Sequence, residues 1–210
     1  MVSLLCAIAA YLIGSISFAV VASRIFGLPD PRTYGSGNPG ATNVLRSGRK
    51  AAAAATLIGD TAKGFAAVAI VRWLAPALEL SEVTVAVCAV AVFLGHLYPV
   101  FFRFKGGKGV ATALGVILAF DWTLALLVLG AFIAVALLLR FISLASIAAA
   151  VVAAIASWWA LPSPAYAGAI CAIALLIVWR HRGNVRRLLS GSERRLTLRR
   201  SRTPPPGPAL

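Results

Sequence analysis

Charge is scarce in this sequence. Acidic residues number only 6 of 210, and charged residues of both signs make up 12%, about half of what a soluble globular domain carries. Too few polar residues are present to clothe the outside of a soluble helical core. Cysteine is scarce as well. Cys6, Cys88 and Cys171 stand singly in apolar stretches with no C-x-x-C pair, which excludes a disulfide framework and leaves them as small packing residues. His96 and His181 are the only histidines, so there is no His/Cys cluster of metal spacing, and neither metal nor cofactor is expected. No Lys or Arg precedes the first apolar stretch. The n-region of a secretory signal is missing, and that stretch reads as a retained span.

Apolar residues supply 60% of the chain. They come in runs of about 16–20, the length that crosses a hydrocarbon core about 30 Å thick. The expected fold class is an all-α integral membrane protein with seven transmembrane helices, at roughly 3–23, 51–75, 83–102, 109–120, 122–139, 141–161 and 165–180. The fourth is short for a crossing. Residues 1–180 read as one membrane domain and 181–210 as a basic tail. Its end, Pro204-Pro205-Pro206-Gly207-Pro208, is expected to be disordered.

A net charge of +14 would point to nucleic acid in a soluble protein. Here the basic residues lie between and after the apolar runs, where the positive-inside rule places them, and no nucleic-acid partner is expected. With seven spans, all but Arg72 and Lys63 of the 20 Lys and Arg residues fall on one side. That puts the N-terminus outside and the tail in the cytoplasm. Removing the short fourth crossing would send the tail outside while the first loop stayed inside, so the asymmetry argues for seven.

Two loops on the basic side are rich in glycine. The first carries Gly35-Ser36-Gly37-Asn38-Pro39-Gly40-Ala41-Thr42-Asn43, with Arg46 three residues on. Its glycines allow backbone N–H groups to turn toward one anion, with Ser36, Thr42 and Asn43 as further polar contacts. A plain inter-span loop has the same composition. The second carries Gly106-Gly107-Lys108-Gly109 ahead of an apolar run. A helix N-terminus, backbone amides and an ammonium would converge there on a phosphate; a basic turn is the plainer alternative. Neither is a Walker loop, since Ala41 stands where the first would need Lys and Phe102 and Gly109 break the pattern in the second.

Further polar residues recur near the same side. His96 stands near a span end, where it would accept a hydroxyl proton or bond a neighbouring helix. It begins no H-x4-D motif, because position 101 is Phe. Asp60 and Lys63 lie three apart within a span and fit an internal ion pair or an ion path. Ser143 and Ser146 follow Arg140 and read as phosphate contacts or as helix-packing hydroxyls. His181 and Asn184 share a face if the last helix continues. A phosphate-bearing cytoplasmic substrate handled at a membrane surface accounts for this one-sidedness. An enzyme, a transporter for a small phosphorylated anion and a lipid-phosphate phosphatase all fit that description. A transporter would place its site near the midplane between repeats, and no repeat is seen. A phosphohydrolase Ser-Gly-His constellation is absent, as Leu94 precedes Gly95-His96.

Three segments together carry a resemblance: Gly35–Asn43; Gly95-His96-Leu97-Tyr98-Pro99-Val100-Phe101-Phe102 through Gly106-Gly107-Lys108-Gly109-Val110-Ala111-Thr112; and Arg180-His181-Arg182-Gly183-Asn184 with Arg187-Leu188 and Gly191. Gly14-Ser15-Ile16-Ser17-Phe18 and Ser143–Ile147 add to it. The chain from about 11 to 196 resembles the bacterial acyl-phosphate-dependent glycerol-3-phosphate acyltransferases. Pro39 departs from the first motif at a spot expected to vary.

The resemblance implies a seven-helix inner-membrane enzyme with its active site facing the cytoplasm. It would transfer a fatty acyl group from acyl phosphate to the 1-hydroxyl of glycerol 3-phosphate, the first step of phospholipid synthesis. It implies membrane lipids as surroundings and a monomer as the unit. By motif it places Ser36, Gly37, Asn38, Thr42 and Ser146 around the donor phosphate, and Arg46, Lys108, His181 and Asn184 around glycerol 3-phosphate. Gly35, Gly40, Asn43, Gly106, Gly107, Gly109 and Ser143 complete the expected binding set. His96, Lys108 and Arg46 are the expected catalytic residues.

Overall fold

The computed structural model describes residues 1–196. The expected disorder of the Pro-rich end lies outside the described residues. Those residues form helices α1 (Val2–Gly14), α2 (Phe18–Ile25), α3 (Ala41–Leu45), α4 (Lys50–Leu74), α5 (Glu82–Leu97), α6 (Val110–Phe120), α7 (Trp122–Leu139), α8 (Ile142–Ala160), α9 (Pro164–Arg180) and α10 (Arg182–Leu189), with a 3-10 turn at Val100–Phe102 and no strand among them. By length and composition, α1 with α2, α4, α5 with the 3-10 turn, α7 and α8 are each fit to cross a bilayer, and α9 with α10, bent by 53°, makes a sixth. At 11 residues, α6 spans about 16 Å, roughly half of a hydrocarbon core.

The first span departs from the continuous helix expected over 3–23, because it breaks between α1 and α2. Ser15 Oγ bonds back to the Tyr11 carbonyl at 2.9 Å, and Ser17 takes an extended backbone. A break at membrane depth leaves backbone groups without helical partners. Lys63 meets that need, donating from Nζ to the Ile16 carbonyl at 2.6 Å.

α6 ends where Asp121 turns extended and caps α7, accepting from Leu124 N–H at 2.6 Å. Arg72, near the end of α4, donates through Nη1 to the carbonyls of Ala119 and Phe120, which are among the orphan acceptors of a helix C-terminus. The two helices touch backbone to backbone. A Cβ at Gly64 would run into the Thr112 carbonyl, and one at Gly115 into that of Thr61, the close approach that small residues permit between membrane helices.

α5 lies at the centre, packed on α1, α4 and α9, with Phe93 and Leu97 fully buried. Large apolar side chains cover the outside: Leu138 is 79% exposed and Trp159 80%. That surface suits lipid, where apolar residues need no burial. All five tryptophans sit at or near helix ends, Trp73, Trp122, Trp158 and Trp159 at one end of the bundle and Trp179 at the other, as interfacial anchors do. The residues expected to form a tail are partly built into this domain. α10 packs on α8 and α9, and Leu196 N–H donates to the Arg140 carbonyl at 2.6 Å.

Candidate active site

Both glycine-rich loops, the start of α8 and α10 meet at one end of the bundle. The second loop is held from beneath. Gly107 N–H donates to the His96 carbonyl, and a Cβ on Gly107 would strike His96 Nε2 and approach Pro39 O of the first loop to 2.8 Å. Only glycine fits between the two. Gly109, at φ +82°, turns the chain into α6 over the ring of Phe93.

Lys108 then reaches across to α10, and its Nζ donates to Asn184 Oδ1 at 2.5 Å. Asn184 Nδ2 donates to Glu193 Oε1, which also accepts from Ser143 Oγ at 2.7 Å. Arg187 Nε closes the network on Glu193 Oε2 at 2.7 Å. Burial would raise the Glu193 carboxyl, but hydrogen bonds from Ser143, Asn184 and Arg187 outweigh it and hold the group below the usual carboxylate range. Burial pushes the Lys108 ammonium down to about 8, helped by Arg187, Arg180 and Arg46 and opposed by Glu193. Burial also lowers Arg46, with Arg194 and Arg187 adding to the effect. A positive field therefore concentrates at this end, with the carboxylate of Glu193 set among these cations.

His181 lies at the bend between α9 and α10. Its Nδ1 sits 2.8 Å from the Ile177 carbonyl. A carbonyl only accepts, so Nδ1 carries the proton and Nε2 is left as an acceptor in the neutral ring. The bend, not a continuing helix, places His181 and Asn184 together.

The first loop differs from the expected anion nest. Gly35 and Gly37 have positive φ, but Ser36 N–H donates to Asn43 Oδ1 at 2.9 Å and Gly37 N–H to the Tyr34 carbonyl. Asn43, expected to bind substrate, instead staples the loop. It is buried, and its Nδ2 donates to the carbonyls of Pro31 and Tyr34. Both ends of that side chain are thus engaged within the loop. Gly35 faces Asn43 Oδ1 and belongs to the same staple. Ser36, Gly37 and Thr42 stay exposed and Asn38 and Gly40 half-buried, with α3 leading from them to Arg46.

His96 is not drawn into the Lys108 cluster. Its ring is buried under the second loop, with Nδ1 3.6 Å from Asp60 Oδ1. Asp60 pairs with Lys63 at 2.8 Å, the internal ion pair expected from their spacing. Ser143 and Ser146 part ways: Ser146 Oγ bonds back to the Ile142 carbonyl at 2.8 Å, whereas Ser143 holds Glu193. The sequence by itself assigns Glu193 no role, although it is the only carboxylate after Asp121.

One cavity adjoins both loops, and a second is lined by no residue of either. A cleft of about 770 Å3 is lined by Arg24, Arg32, Gly37, Arg103, Lys105 and Gly106 among others. An apolar groove of about 350 Å3 runs between α2 and α4, lined by Phe18, Val21, Ile25, Ala55, Ile58 and Gly59 among others.

Known proteins resemble the chain closely. A sequence model of the family described as glycerol-3-phosphate acyltransferase matches residues 4–191. A glycerol-3-phosphate acyltransferase of Methylobacillus flagellatus is 60% identical over 186 residues, covering 89% of this chain and 93% of that protein. One of Nitrosospira multiformis is 56% identical over 187 residues, with 89% and 93% covered. Among solved structures, the glycerol 3-phosphate form of PlsY (YgiH), an integral membrane glycerol 3-phosphate acyltransferase, superposes with a TM-score of 0.86 at 39% identity, covering 94% of this chain and 96% of that one. The lysophosphatidic acid form of the same enzyme gives 0.85 at 38% identity. The chain is thus a multi-pass integral membrane protein and belongs to the glycerol-3-phosphate acyltransferase family.

Proposed function

We propose that the protein transfers a fatty acyl group from acyl phosphate to the 1-hydroxyl of glycerol 3-phosphate, releasing 1-acyl-glycerol 3-phosphate and inorganic phosphate. The observation that carries this reading is the meeting of Lys108, Asn184, His181 and Arg46 at one end of the bundle. An acyl phosphate is a mixed anhydride and needs no protein nucleophile. The acceptor oxygen attacks the carbonyl carbon, the bond from carbonyl carbon to phosphate oxygen breaks, and phosphate leaves. Catalysis is then a matter of holding two anions side by side and stabilising the charge that develops.

Lys108, Arg46, His181 and Asn184 are assigned to glycerol 3-phosphate. Ser36, Gly37, Asn38, Gly40, Thr42 and Ser146 are assigned to the donor phosphate, with Gly106, Gly107 and Gly109 shaping the loop between. The donor chain lies in the groove between α2 and α4. His96 faces Asp60 behind the loop, which favours a bracing role. The hydroxyl proton then passes to a phosphate oxygen of the donor. The transporter reading loses its support, because Asp60 and Lys63 are engaged in closing the break in the first span. The active protein is taken to be a monomer in a bacterial inner membrane, crossing it seven times with α6 as the short fourth span. Its N-terminus lies outside and the loops face the cytoplasm, as the one-sided distribution of Lys and Arg favours.

Phosphate release from purified protein, supplied with palmitoyl phosphate with and without glycerol 3-phosphate, tests the reading. Release that requires the acceptor, matched by lysophosphatidic acid, is expected. Release without the acceptor would identify a phosphatase. No release from folded protein would return the question to transport and to flux in liposomes.

A further inference from the structure

Arg180, the last residue of α9, is assigned no part in the site described so far. Its guanidinium nevertheless grips the second glycine loop. Nη2 donates to the carbonyls of Gly106 at 3.0 Å and Gly107 at 2.9 Å, and Nε donates again to Gly107 at 3.2 Å. The same group lies over the ring of Tyr98, 5.9 Å from its centroid, whose backbone carbonyl is tied in turn to α1 by the Tyr11 hydroxyl at 2.6 Å. Three donors of one planar fork therefore fix two consecutive carbonyls.

Fixing a carbonyl also fixes the amide across the same peptide plane, because C=O and N–H point to opposite sides of a trans peptide. For the plane joining Gly106 to Gly107, the carbonyl meets Arg180 and the amide meets the His96 carbonyl. For the next plane, the carbonyl again meets Arg180, and the Lys108 amide on the far side makes no hydrogen bond among the described residues. The loop's negative carbonyl ends are thereby turned toward one cation, and an amide donor next to the Lys108 ammonium is left open. One turn further on, Asn184 receives that ammonium. The α9–α10 corner holds the loop at its carbonyls and at its lysine.

We propose that Arg180 is a positioning residue: by holding the Gly106 and Gly107 carbonyls it orients the Lys108 amide and ammonium toward the phosphate of glycerol 3-phosphate. The proposal rests on the assignment of Lys108 to that substrate and not on the identity of the acyl donor. Lysine at 180 carries the charge but lacks the planar fork that bonds two carbonyls at once.

Calorimetric binding of glycerol 3-phosphate to the detergent-purified protein tests it, with Arg180→Lys and Arg180→Ala beside the unaltered chain and melting temperatures recorded for each. Affinity is expected to fall by about 10-fold or more in both variants, the scale of losing bonds from a charged donor. Methylguanidinium at non-denaturing concentration should restore much of the loss in Arg180→Ala, and sodium chloride at equal ionic strength should not. An affinity within twofold of the unaltered chain in Arg180→Lys would overturn the proposal. So would a loss that follows a fall in melting temperature and resists methylguanidinium. If the unaltered chain binds glycerol 3-phosphate yet transfers nothing from acyl phosphate, the donor assignment fails and the Arg180 result still stands.

Discussion

The ammonium of Lys63 donates to the carbonyl of Ile16 at 2.6 Å, so a residue of the second span completes the backbone of the first. The charge is balanced by Asp60 at 2.8 Å, and both side chains are almost wholly buried, at 2% and 4% exposure. Ion pairs so placed are costly to break, because the remaining partner keeps its desolvation penalty without compensation. Lys63→Met should therefore destabilise the fold by about 3–5 kcal/mol. The double variant Asp60→Asn, Lys63→Met should recover part of that loss, since no bare charge remains. Thermal unfolding in one detergent, with the single and double variants side by side, measures the difference. A single variant that melts with the unaltered chain would remove the pair from any structural role.

The two hydroxyls that opened α8 in the sequence now have separable roles. Ser143→Ala removes a donor to Glu193, loosening the segment that also orients Asn184, and should lower both the melting temperature and the affinity for glycerol 3-phosphate. Ser146→Ala removes only a bond to a carbonyl four residues back, which adds little stability to a helix. Its melting temperature should stay unchanged, so any loss of turnover reports contact with the donor phosphate. Steady-state kinetics with both substrates varied, read beside melting curves, separates the two residues.

Much of this was legible in the sequence for a physical reason. Apolar runs report membrane depth directly, and the spacing of Asp60 and Lys63 reports a shared helical face whatever surrounds it. The break at Ser15–Ser17 was not legible, because it depends on Lys63 arriving from a helix 47 residues away. The stapling by Asn43 was hidden for a similar reason. Asparagine in a glycine-rich loop offers the same groups to a ligand or to the loop itself, and only the fold shows that Pro31, Tyr34 and Ser36 take them. Glu193 carried a signal in its isolation, a lone acid within a basic segment, yet its partners Ser143 and Asn184 come together only through the bend after α9.

Acyl transfer should lose efficiency as pH rises through the range where Lys108 gives up its proton. Burial brings that ammonium down to about 8, and the proposed role needs the charged form to meet phosphate. The value of kcat/KM reports the free enzyme, so its logarithm should decline above about pH 8 with unit slope. Lys108→Arg keeps a charge that does not titrate in this range, and the alkaline decline should vanish even if the maximum is lower. Lys108→Ala should abolish turnover while leaving the protein folded. A profile for the unaltered chain that stays level to pH 10 would deny Lys108 this part.

The groove between α2 and α4 offers a test of where the donor chain lies. It is walled by Phe18, Val21, Ile25, Ala55 and Ile58 and holds about 350 Å3. Ala55 is half-buried on its floor, so Ala55→Phe would fill space without disturbing the glycine loops or the Lys108 cluster. Apolar pockets discriminate among chains by a factor of 10 or so for a single well-placed methylene. The ratio of kcat/KM for decanoyl phosphate over palmitoyl phosphate should therefore rise by about 10-fold in Ala55→Phe, with the KM for glycerol 3-phosphate unmoved. Leu138→Phe, on the lipid-facing side of α7, provides the comparison and should leave the ratio as it was. A ratio equally unchanged in both variants would place the acyl chain elsewhere. The apolar groove would then be a lipid-filled crevice, and the search for the donor's path would move to the outer faces of the remaining spans.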